Sequence, residues 1–307
     1  MEKKIVDVIV PVYRPGKEWE QLLRGLEKQT WPIHRLIVMN TGEENWKAEY
    51  EETTLPIEVY HVTKEFFDHG KTRDLGAKKS TADYLLFMTQ DAMPKDMYLV
   101  EHLVDAVEQE KHVAAAYARQ LPKEECRLME QYTRQFNYPE QSRVKWQKDL
   151  AELGIKTYFC SNVCAIYSRE IYEKLGGFVK KTIFNEDMIF AGTLIQQGYG
   201  VAYAADAKVI HSHNYSGIQQ FHRNFDLAVS QTDHPEIFEG IRSEGEGIRL
   251  VKNTAVWLWK QKHPFQVISL VWQSGWKYLG YLCGKNYRRL PRWMIKKCTM
   301  NQKYWDS

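Results

Sequence analysis

The sequence predicts an α/β protein with a Rossmann-like, mostly parallel central sheet flanked by helices and followed by a helical C-terminal region. Short apolar runs of strand length alternate with segments whose apolar residues recur at helical spacing, as βαβ units require. The run YLLFM, residues 84–88, is apolar at every position, which is typical of a parallel strand that helices cover on both faces. A last apolar stripe at helical spacing, from Phe265 to Cys283, predicts the helical C-terminal region.

The composition is that of a globular protein from a reducing compartment. The chain has 307 residues, of which 44% are hydrophobic and 26% charged, so it can bury a substantial core. Its five cysteines are scattered and lack CxxC spacing, which argues against a disulfide framework or a structural zinc site. Asp7 and Pro11 interrupt the first apolar run, IVDVIVPV, so the run is interpreted as a strand rather than a secretion signal. We therefore expect a cytoplasmic protein.

The charge is distributed unevenly along the chain. From Gly247 onward there are twelve Lys or Arg residues and one acid, Asp306, whereas the chain before Gly247 holds 30 basic and 38 acidic residues. Six of the ten tryptophans also lie in this basic segment. The C-terminal segment is therefore expected to have a different partner from the acidic body.

The body of the chain divides into alternating predicted elements. The first are the strand IVDVIVPVY, the helix EWEQLLRGLEKQT, the strands HRLIVMN and PIEVYHV, a helix from about Gly70 to Ser80, and the strand YLLFMTQ. The later ones are the strand SNVCAIYS, a short helix ending at Gly176 and Gly177, a helix beginning at Glu186, and the strand VAYAADAKVI. The apolar helix positions are Trp19, Leu22, Leu23 and Leu26 in the first helix and Ile189, Phe190, Leu194 and Ile195 in the later one.

Polar residues follow several predicted strands. Parallel strands bring their carboxyl ends to one edge of a sheet, and ligands of open α/β sheets bind there. Asp91 follows YLLFM at this edge, although an Asp shortly before Pro94 is also typical of a turn. The residues that we expect at this edge are Pro11, Tyr13, Asn40, Thr41, Thr89, Gln90 and Asp91.

The segment FFDHGKTRDLGA combines glycines with basic residues at a predicted helix start. Lys71 and Arg73 lie between Gly70 and Gly76, and a helix N-terminus with basic side chains suits a phosphate group. The sequence contains neither the P-loop pattern nor the GxGxxG fingerprint. The alternative is structural, because Asp68 is also a suitable N-cap.

Two further groups of polar residues stand near the ends of later elements. Glu186 and Asp187 begin a helix, where the helix dipole stabilises acids, but their position after Phe184 also suits a pocket. His211 and His213 would lie on the same face if the last strand continues through them. Two histidines and a distant carboxylate can hold a divalent cation.

Taken together, these motifs resemble the family 2 glycosyltransferases, inverting enzymes of the GT-A fold. PVYRP, NTG, GKTRDLGA, TQDA, NED and HSH occur in the family's order and approximate spacing, from Val6 to His213. FDHGKTRDLGA together with TQDA is most similar to bacterial rhamnosyltransferases that use dTDP-L-rhamnose. The resemblance implies a GT-A catalytic domain over residues 1–215 and a C-terminal region over residues 216–307.

The resemblance also implies roles for individual residues. Asp187 would be the catalytic base, and Glu186 would be either the less favoured candidate for the base or a residue that orients the site. Asp91 matches the last Asp of the family's DxD motif, with Thr89 in place of the first, and Asp91, His211 and His213 are the implied ligands of Mg²⁺ or Mn²⁺. The sequence MNTG replaces the family's VDDGS and leaves base selectivity open. The implied donor-binding residues are Pro11, Tyr13, Arg14, Asn40, Thr41, Gly70, Arg73, Asp74, Gln90 and Asp91.

The function implied by the resemblance is transfer of L-rhamnose from dTDP-L-rhamnose to a cell-surface polysaccharide or its lipid-linked precursor. Two alternatives stay open: a family 2 enzyme with a UDP-sugar donor, and a non-catalytic, membrane-bound protein that binds nucleotide sugars. A sugar nucleotidyltransferase would carry a Gly-rich loop with Arg and Lys after its first strand, and VPVYRPGKEW does not look like one.

The C-terminal segment predicts a peripheral location at the inner face of the cell membrane. Polar residues within the stripe of Phe265–Cys283 favour a helix lying in the membrane plane over one that spans it. The basic cluster KNYRRLPRWMIKK would attract anionic lipid. The alternatives are a helical hairpin that packs on the catalytic domain and a contact in a homo-oligomer. Nucleic acid is not an expected partner, because the body is acidic and carries no recognition motif.

Overall fold

The computed structural model of this chain describes residues 3–241 and 244–306. Its strands are β1 (Val6–Val12), β2 (Ile33–Thr41), β3 (Ile57–Val62), β4 (Tyr84–Met88), β5 (Met93–Pro94), β6 (Val113–Leu121), β7 (Arg143–Lys145), β8 (Cys164–Ser168) and β9 (Gly200–Ile210). Its helices are α1 (Lys17–Leu26), α2 (His69–Ala77), α3 (Leu99–Glu108), α4 (Leu128–Asn137), α5 (Leu150–Leu153), α6 (Arg169–Lys174), α7 (Glu186–Gln196), α8 (Gly217–Asp233), α9 (Pro235–Phe238), α10 (Glu244–Lys260), α11 (Gln266–Lys285) and α12 (Arg292–Cys298).

The chain forms two compact units. The first combines the residues up to Leu121 with Tyr138–Lys181 and Glu186–His211, and it contains the sheet. The second combines Pro122–Asn137, Thr182–Asn185 and the chain from Ser212 onward, and its elements are helices. The predicted α/β fold with a helical C-terminal region is confirmed.

The direction of each strand decides which residues reach the functional edge of the sheet. The strand order is β3-β2-β1-β4-β8-β6-β9-β5, and β7 pairs with β9. Strands β1 to β4 are parallel, as are β6 and β9, whereas β8 runs antiparallel between β4 and β6. The carboxyl ends of β1, β2, β4, β6 and β9 therefore lie at the same edge as the amino end of β8.

One face of the sheet is covered by α1 and α3. Val8 and Val10 of β1 belong to the same buried cluster as Trp19 and Leu22 of α1 and Leu103 of α3. The apolar spacing that predicts α1 is confirmed, because its four apolar residues are buried. Burial of such side chains stabilises the fold by roughly 1.5–3 kcal/mol each.

The opposite face is covered by α2, α6 and α7. Helix α2 approaches β1 so closely that a Cβ on Gly76 would lie 2.6 Å from Cγ2 of Ile9. The ring centroid of Phe87 on β4 lies 5.7 Å from that of Tyr167 and 5.1 Å from that of Phe178. Because helices cover both faces, β4 is buried along its whole length, as the run YLLFM predicts.

In the second unit, α11 packs along α8 through two glycines. A Cβ on Gly280 would lie 2.2 Å from the carbonyl oxygen of Phe221, and one on Gly284 would lie 2.3 Å from that of Phe225. The two backbones therefore touch, which no larger residue at these two positions would permit. In the described part of the chain, no helix is both long enough and apolar enough to cross a membrane.

Candidate active site

The carboxyl ends of β1 and β4 are joined by the side chain of Gln90. Its Oε1 accepts a hydrogen bond from the backbone N–H of Tyr13 (2.8 Å), and its Nε2 donates to the carbonyl of Tyr13 (3.1 Å). The N–H of Thr89 donates to the carbonyl of Val163 (3.1 Å), just before β8 begins. Residues predicted at this edge from separate strands thus do come together.

Tyr13 and Arg14 form an exposed surface directly after β1, two and three residues beyond Pro11. The ring of Tyr13 is 43% exposed, and the guanidinium of Arg14 and the ammonium of Lys64 lie 5.1 and 5.7 Å from its centroid. Arg14 has φ 48°, a left-handed conformation that is uncommon for a residue with a side chain and occurs often at functional sites. An aromatic ring with two cations suits a base and its phosphates.

Buried polar atoms without partners mark the ends of β2 and β4. Asn40 Nδ2 donates to the carbonyl of Gly42 (3.0 Å) and contacts Nδ1 of His61 (2.9 Å). Within the described residues, however, Asn40 Oδ1, Thr41 Oγ1 and Thr89 Oγ1 have no hydrogen-bond partner. A buried polar atom without a partner costs roughly 1–3 kcal/mol, so these three oxygens indicate a place for ligand or water.

Asp91 and His211 form a pair at the ends of β4 and β9. Nε2 of His211 lies 3.5 Å from Oδ2 of Asp91, and Nδ1 of His211 lies 3.1 Å from Oε1 of Gln120. Gln120 donates from its Nε2 to Oγ of Ser161 (3.0 Å), which directs its oxygen towards the imidazole. Gln120 therefore favours the tautomer with a proton on Nδ1, and this leaves a lone pair on Nε2 facing the carboxylate.

This arrangement fits a divalent cation. A lone pair and a carboxylate repel each other unless a cation or a proton lies between them, and imidazole and carboxylate are both common ligands of such cations. His213, the third predicted ligand, lies two residues farther along the chain, at the start of the second unit. The strand ends at Ile210, before the two histidines.

Glu186 is held in the interior by two side chains. Arg73 Nη1 donates to Oε1 of Glu186 (3.0 Å), and Nδ2 of Asn162 lies 3.4 Å from the same oxygen. Arg73 and Glu186 are only 3% and 7% exposed. Arg73 is therefore the counter-ion of Glu186, and the contacts with Arg73 and Asn162 hold the carboxylate of Glu186 in one orientation.

The other predicted residues of α2 also make contacts inside the protein. A Cβ on Gly70 would lie 2.6 Å from the carbonyl oxygen of Val179, so glycine permits a close approach there. Asp74 pairs with Lys78 (2.8 Å) and accepts from the hydroxyl of Tyr172 (3.3 Å). Asp68 caps the helix by accepting from the N–H of Lys71 (2.9 Å), as the structural interpretation of this segment predicts.

Asp187 is a carboxylate whose pKa lies well above its usual range. Burial and the neighbouring charge of Glu186 raise the pKa of Asp187 to about 7, against the opposing effect of its hydrogen bonds and of Arg73. Its two oxygens accept from the N–H groups of Asn162 (3.0 Å) and Met188 (2.8 Å). A carboxylate with a pKa near neutrality and a fixed orientation is suited to general base catalysis.

A short segment before β8 connects both carboxylates. Oγ of Ser161 accepts a hydrogen bond from Gln120, and Gln120 is hydrogen-bonded to His211, whose imidazole faces Asp91. The N–H of the next residue, Asn162, donates a hydrogen bond to Asp187. Lys145 supports the preceding turn by donating to the carbonyls of Lys156 and Phe159, and burial lowers the pKa of Lys145 to about 7. The two predicted functional carboxylates thus belong to one connected framework.

Several residues of this framework were not predicted from the sequence. They are Gln120, Lys145, Ser161 and Asn162. The signal for Gln120 was weak because β6 is rich in alanine, which has little strand propensity. Asn162 and Ser161 precede a strand, and a search of strand carboxyl ends omits them unless that strand is recognised as antiparallel.

Comparison with known proteins identifies similar chains. The model of the family described as Glycosyl transferase family 2 matches residues 7–176. The O-antigen chain rhamnosyltransferase RfbN of Salmonella typhimurium is 36% identical over 306 residues, which cover 98% of this chain and 96% of that protein. The O-antigen chain rhamnosyltransferase WbaN of Salmonella anatum is 35% identical over 305 residues, with coverage of 98% and 95%.

Solved structures share the fold at low sequence identity. The mannosyltransferase PcManGT from Pyrobaculum calidifontis, in complex with GDP-Man and Mn²⁺, has a TM-score of 0.59 at 16% identity and covers 99% of this chain and 85% of its own. S. aureus TarS 1-349 in complex with UDP-GlcNAc has a TM-score of 0.52 at 15% identity, with coverage of 93% and 91%.

Proposed function

This chain belongs to glycosyl transferase family 2, and from that premise we propose that it transfers an L-rhamnosyl group from dTDP-L-rhamnose to an acceptor hydroxyl of a cell-surface polysaccharide or its lipid-linked precursor. The observation that carries the choice of sugar is the near full-length similarity to two proteins named as O-antigen chain rhamnosyltransferases. The chain is a glycosyltransferase with the GT-A fold that the resemblance implies.

On the acceptor side, Asp187 acts as the general base. Inverting transfer is a single displacement at the anomeric carbon, so a base must take the proton of the attacking hydroxyl opposite the leaving group. The raised pKa of Asp187 makes it a stronger base than an ordinary carboxylate, and the N–H of Asn162 holds one of its oxygens in place. Glu186 does not fill this role, because Arg73 neutralises it.

On the donor side, Asp91 and His211 are the proposed ligands of Mn²⁺ or Mg²⁺, with His213 as a third. Imidazole ligands favour Mn²⁺, since Mg²⁺ prefers oxygen ligands and several waters. Such a cation supplies positive charge to the pyrophosphate leaving group. Gln120 keeps the imidazole of His211 in the ligating tautomer.

The nucleotide part of the donor is proposed to lie at the ends of β1 and β2. Tyr13 offers an exposed ring for the base, and Arg14 and Lys64 bring positive charge to it. The unpartnered oxygens of Asn40 and Thr41 accept hydrogen bonds from polar groups of the nucleotide. Pro11 and Gln90 shape this wall, and Gln90 keeps the backbone of Tyr13 in place.

The pH dependence of the reaction follows from the pKa of Asp187. A base must be deprotonated, so kcat/KM is expected to fall about tenfold per pH unit below about pH 7 and to level off above it. The measurement is the initial rate of transfer at low donor concentration across pH 5–9, with the stability of the protein checked at each pH. A profile that stays flat down to pH 5 would contradict a base with a raised pKa.

The choice of donor is tested by a panel of sugar nucleotides. We expect the purified protein to bind and hydrolyse dTDP-L-rhamnose in preference to dTDP-glucose, UDP-glucose, UDP-N-acetylglucosamine and GDP-mannose. The comparison of dTDP-L-rhamnose with dTDP-glucose is the matched control, because only the sugar differs. A preference for a UDP-sugar would replace the rhamnosyl assignment, and tight binding without hydrolysis or transfer would favour a non-catalytic binding protein.

The proposed place of action is the inner face of the cell membrane, where a lipid-linked glycan acceptor is presented. The enzyme would be peripheral there, either as a single chain or as a homo-oligomer. The basic, tryptophan-rich second unit supports this location.

A further inference from the structure

The most apolar side of α11 points to solvent. Val271 and Trp272 follow Ile268 by three and four residues, and Leu279 follows Trp272 by seven, so the four side chains lie on one face of the helix. Their exposed fractions are 73%, 62%, 66% and 52%. Together with Gly275, where no side chain fills the space, they line an apolar groove of about 630 Å³. Monomeric soluble proteins seldom expose a contiguous apolar surface of this kind.

Packing inside the second unit prevents α11 from turning this side inward. Gly280 and Gly284 seat the helix against the backbone of α8, so its rotation is set by contacts that other residues could not make. The polar side chains of Gln273 and Lys277 are partly covered while the apolar ones are exposed. This is the reverse of the pattern of a surface helix in a soluble protein, and it indicates a partner for the exposed side.

The turn between α10 and α11 also carries exposed aromatic residues. Trp259 is 72% exposed and Phe265 is 86% exposed, and they flank this turn. Backbone hydrogen bonds from Lys262 to Trp259 (3.0 Å) and from His263 to Leu258 (2.9 Å) close the turn, so it presents these rings from a defined conformation. Large aromatic side chains at such positions are typical of proteins that sit in the headgroup layer of a bilayer.

The Lys and Arg residues near this surface indicate an anionic partner. Lys260 and Lys262 lie in or next to the turn, and Lys285 and Arg289 follow the last exposed apolar residue of α11. From residue 247 to 306 the sequence has a single acid, which bonds Lys296. A symmetric contact between two copies would bring like charges together, which is unfavourable, whereas an anionic surface complements them.

We propose that the α11 face, formed by Trp259, Phe265, Ile268, Val271, Trp272 and Leu279, binds an anionic lipid bilayer with α11 lying in the membrane plane. The apolar side chains enter the headgroup layer to a depth of roughly 5–10 Å, and the nearby Lys and Arg side chains contact lipid phosphates. Only the purpose of membrane binding, which is to bring the enzyme to a lipid-linked acceptor, rests on the proposed function. Membrane binding itself is independent of donor and chemistry.

The test is co-sedimentation of the full chain with vesicles, in the absence of donor and acceptor. We expect binding to vesicles of phosphatidylglycerol and phosphatidylcholine and weaker binding to vesicles of phosphatidylcholine alone. Raising the salt from roughly 0.1 M to 1 M shortens the Debye length from ~10 Å to ~3 Å and should reduce the difference between the two. Absence of binding to anionic vesicles at every ionic strength would overturn the proposal.

Paired variants locate the binding surface. Ile268→Ser with Trp272→Ser is expected to lower affinity for anionic vesicles by about tenfold or more, since two inserted side chains are lost. The matched control is Met97→Ser with Tyr98→Ser, which removes exposed apolar residues (46% and 45%) from the first unit and should leave binding unchanged. Equal binding by the α11 variant and wild type would contradict the proposal.

A second pair of variants tests the charge without changing the apolar surface. Lys285→Gln with Arg289→Gln is expected to weaken anionic binding by about fivefold per charge, which corresponds to about 1 kcal/mol each, and to leave neutral vesicles unaffected. Lys95→Gln with Lys111→Gln, on exposed side chains of the first unit, is the charge control. If Lys285→Gln with Arg289→Gln leaves binding to anionic vesicles unchanged, or if the control pair weakens it as much, the electrostatic part of the proposal is wrong.

Two additional readouts separate this inference from its alternatives. Donor hydrolysis should be retained by the Ile268→Ser, Trp272→Ser variant, which shows that the protein is folded. If light scattering instead finds a wild-type dimer that this variant converts to a monomer, without vesicle binding by either protein, the α11 face is a contact between copies. If the protein binds vesicles but shows no preference for dTDP-L-rhamnose among the sugar nucleotides, this inference is supported and the rhamnosyl assignment is contradicted.

Discussion

Asp187→Asn is expected to lower the turnover number by about 10²-fold or more while leaving the dissociation constant of the donor within a few-fold of wild type. The amide is nearly the same size and can still accept the hydrogen bond from the N–H of Asn162, but it cannot take a proton from the acceptor. Initial rates of transfer and calorimetric titration with dTDP-L-rhamnose measure the two quantities on the same preparation.

The control for this variant is Asp206→Asn, the same change at an exposed position of β9, which should leave rate and affinity unaltered. A loss of donor affinity as large as the loss of turnover would assign Asp187 to the donor site. A larger loss in Glu186→Gln than in Asp187→Asn would make Glu186 the base, despite its ion pair with Arg73.

Asp91→Ala is expected to weaken donor binding by about tenfold or more, because it removes the carboxylate that faces His211. If a cation is held there, EDTA should reduce the affinity of the wild-type protein to a similar degree, and added Mn²⁺ should restore it. The Asp91→Ala protein should respond little to either treatment, since its site no longer holds the ion.

Asp105→Ala, an exposed carboxylate on α3, is the control for removal of a negative charge. Full activity of the wild-type protein in EDTA would exclude a required cation. The positive charge for the pyrophosphate would then have to come from side chains such as Arg14 and Lys64, which lie beside the ring of Tyr13.

The first half of the sheet was predictable from the sequence because its strands carry a strong local signal. Strands β1, β2 and β4 are continuous apolar runs, and parallel strands place their following residues at one edge. This reasoning predicted that Tyr13, Asn40 and Asp91 lie at strand ends, and the bonds of Gln90 to Tyr13 show that two of these ends meet.

The second half of the site depends on strand direction, which hydrophobic periodicity does not encode. Because β8 is antiparallel to β4, the residues before it, rather than those after it, reach the functional edge. This brings Asn162 to Asp187, and it also places β6 so that Gln120 reaches His211. The contacts join residues 25 and 91 positions apart in sequence, so a local pattern could not reveal them.

The apolar stripe of α11 was also predicted from the sequence, but the direction that it faces was not predicted. Orientation is decided by the close contact of Gly280 and Gly284 with α8, a tertiary interaction. The spacing of these two glycines, four residues apart, is a signal for close helix packing that the sequence does contain. Considered together with the stripe, it indicates that the apolar side faces outward.

The central claim is that two carboxylates of one site divide the reaction, with Asp91 acting on the donor and Asp187 on the acceptor. The most direct measurement is calorimetric titration of dTDP-L-rhamnose, in the presence of Mn²⁺, into the wild-type, Asp187→Asn and Asp91→Ala proteins. We predict that Asp187→Asn binds the donor like wild type, whereas Asp91→Ala binds it about tenfold more weakly or worse. Unchanged affinity in Asp91→Ala together with weakened affinity in Asp187→Asn would contradict this division of roles.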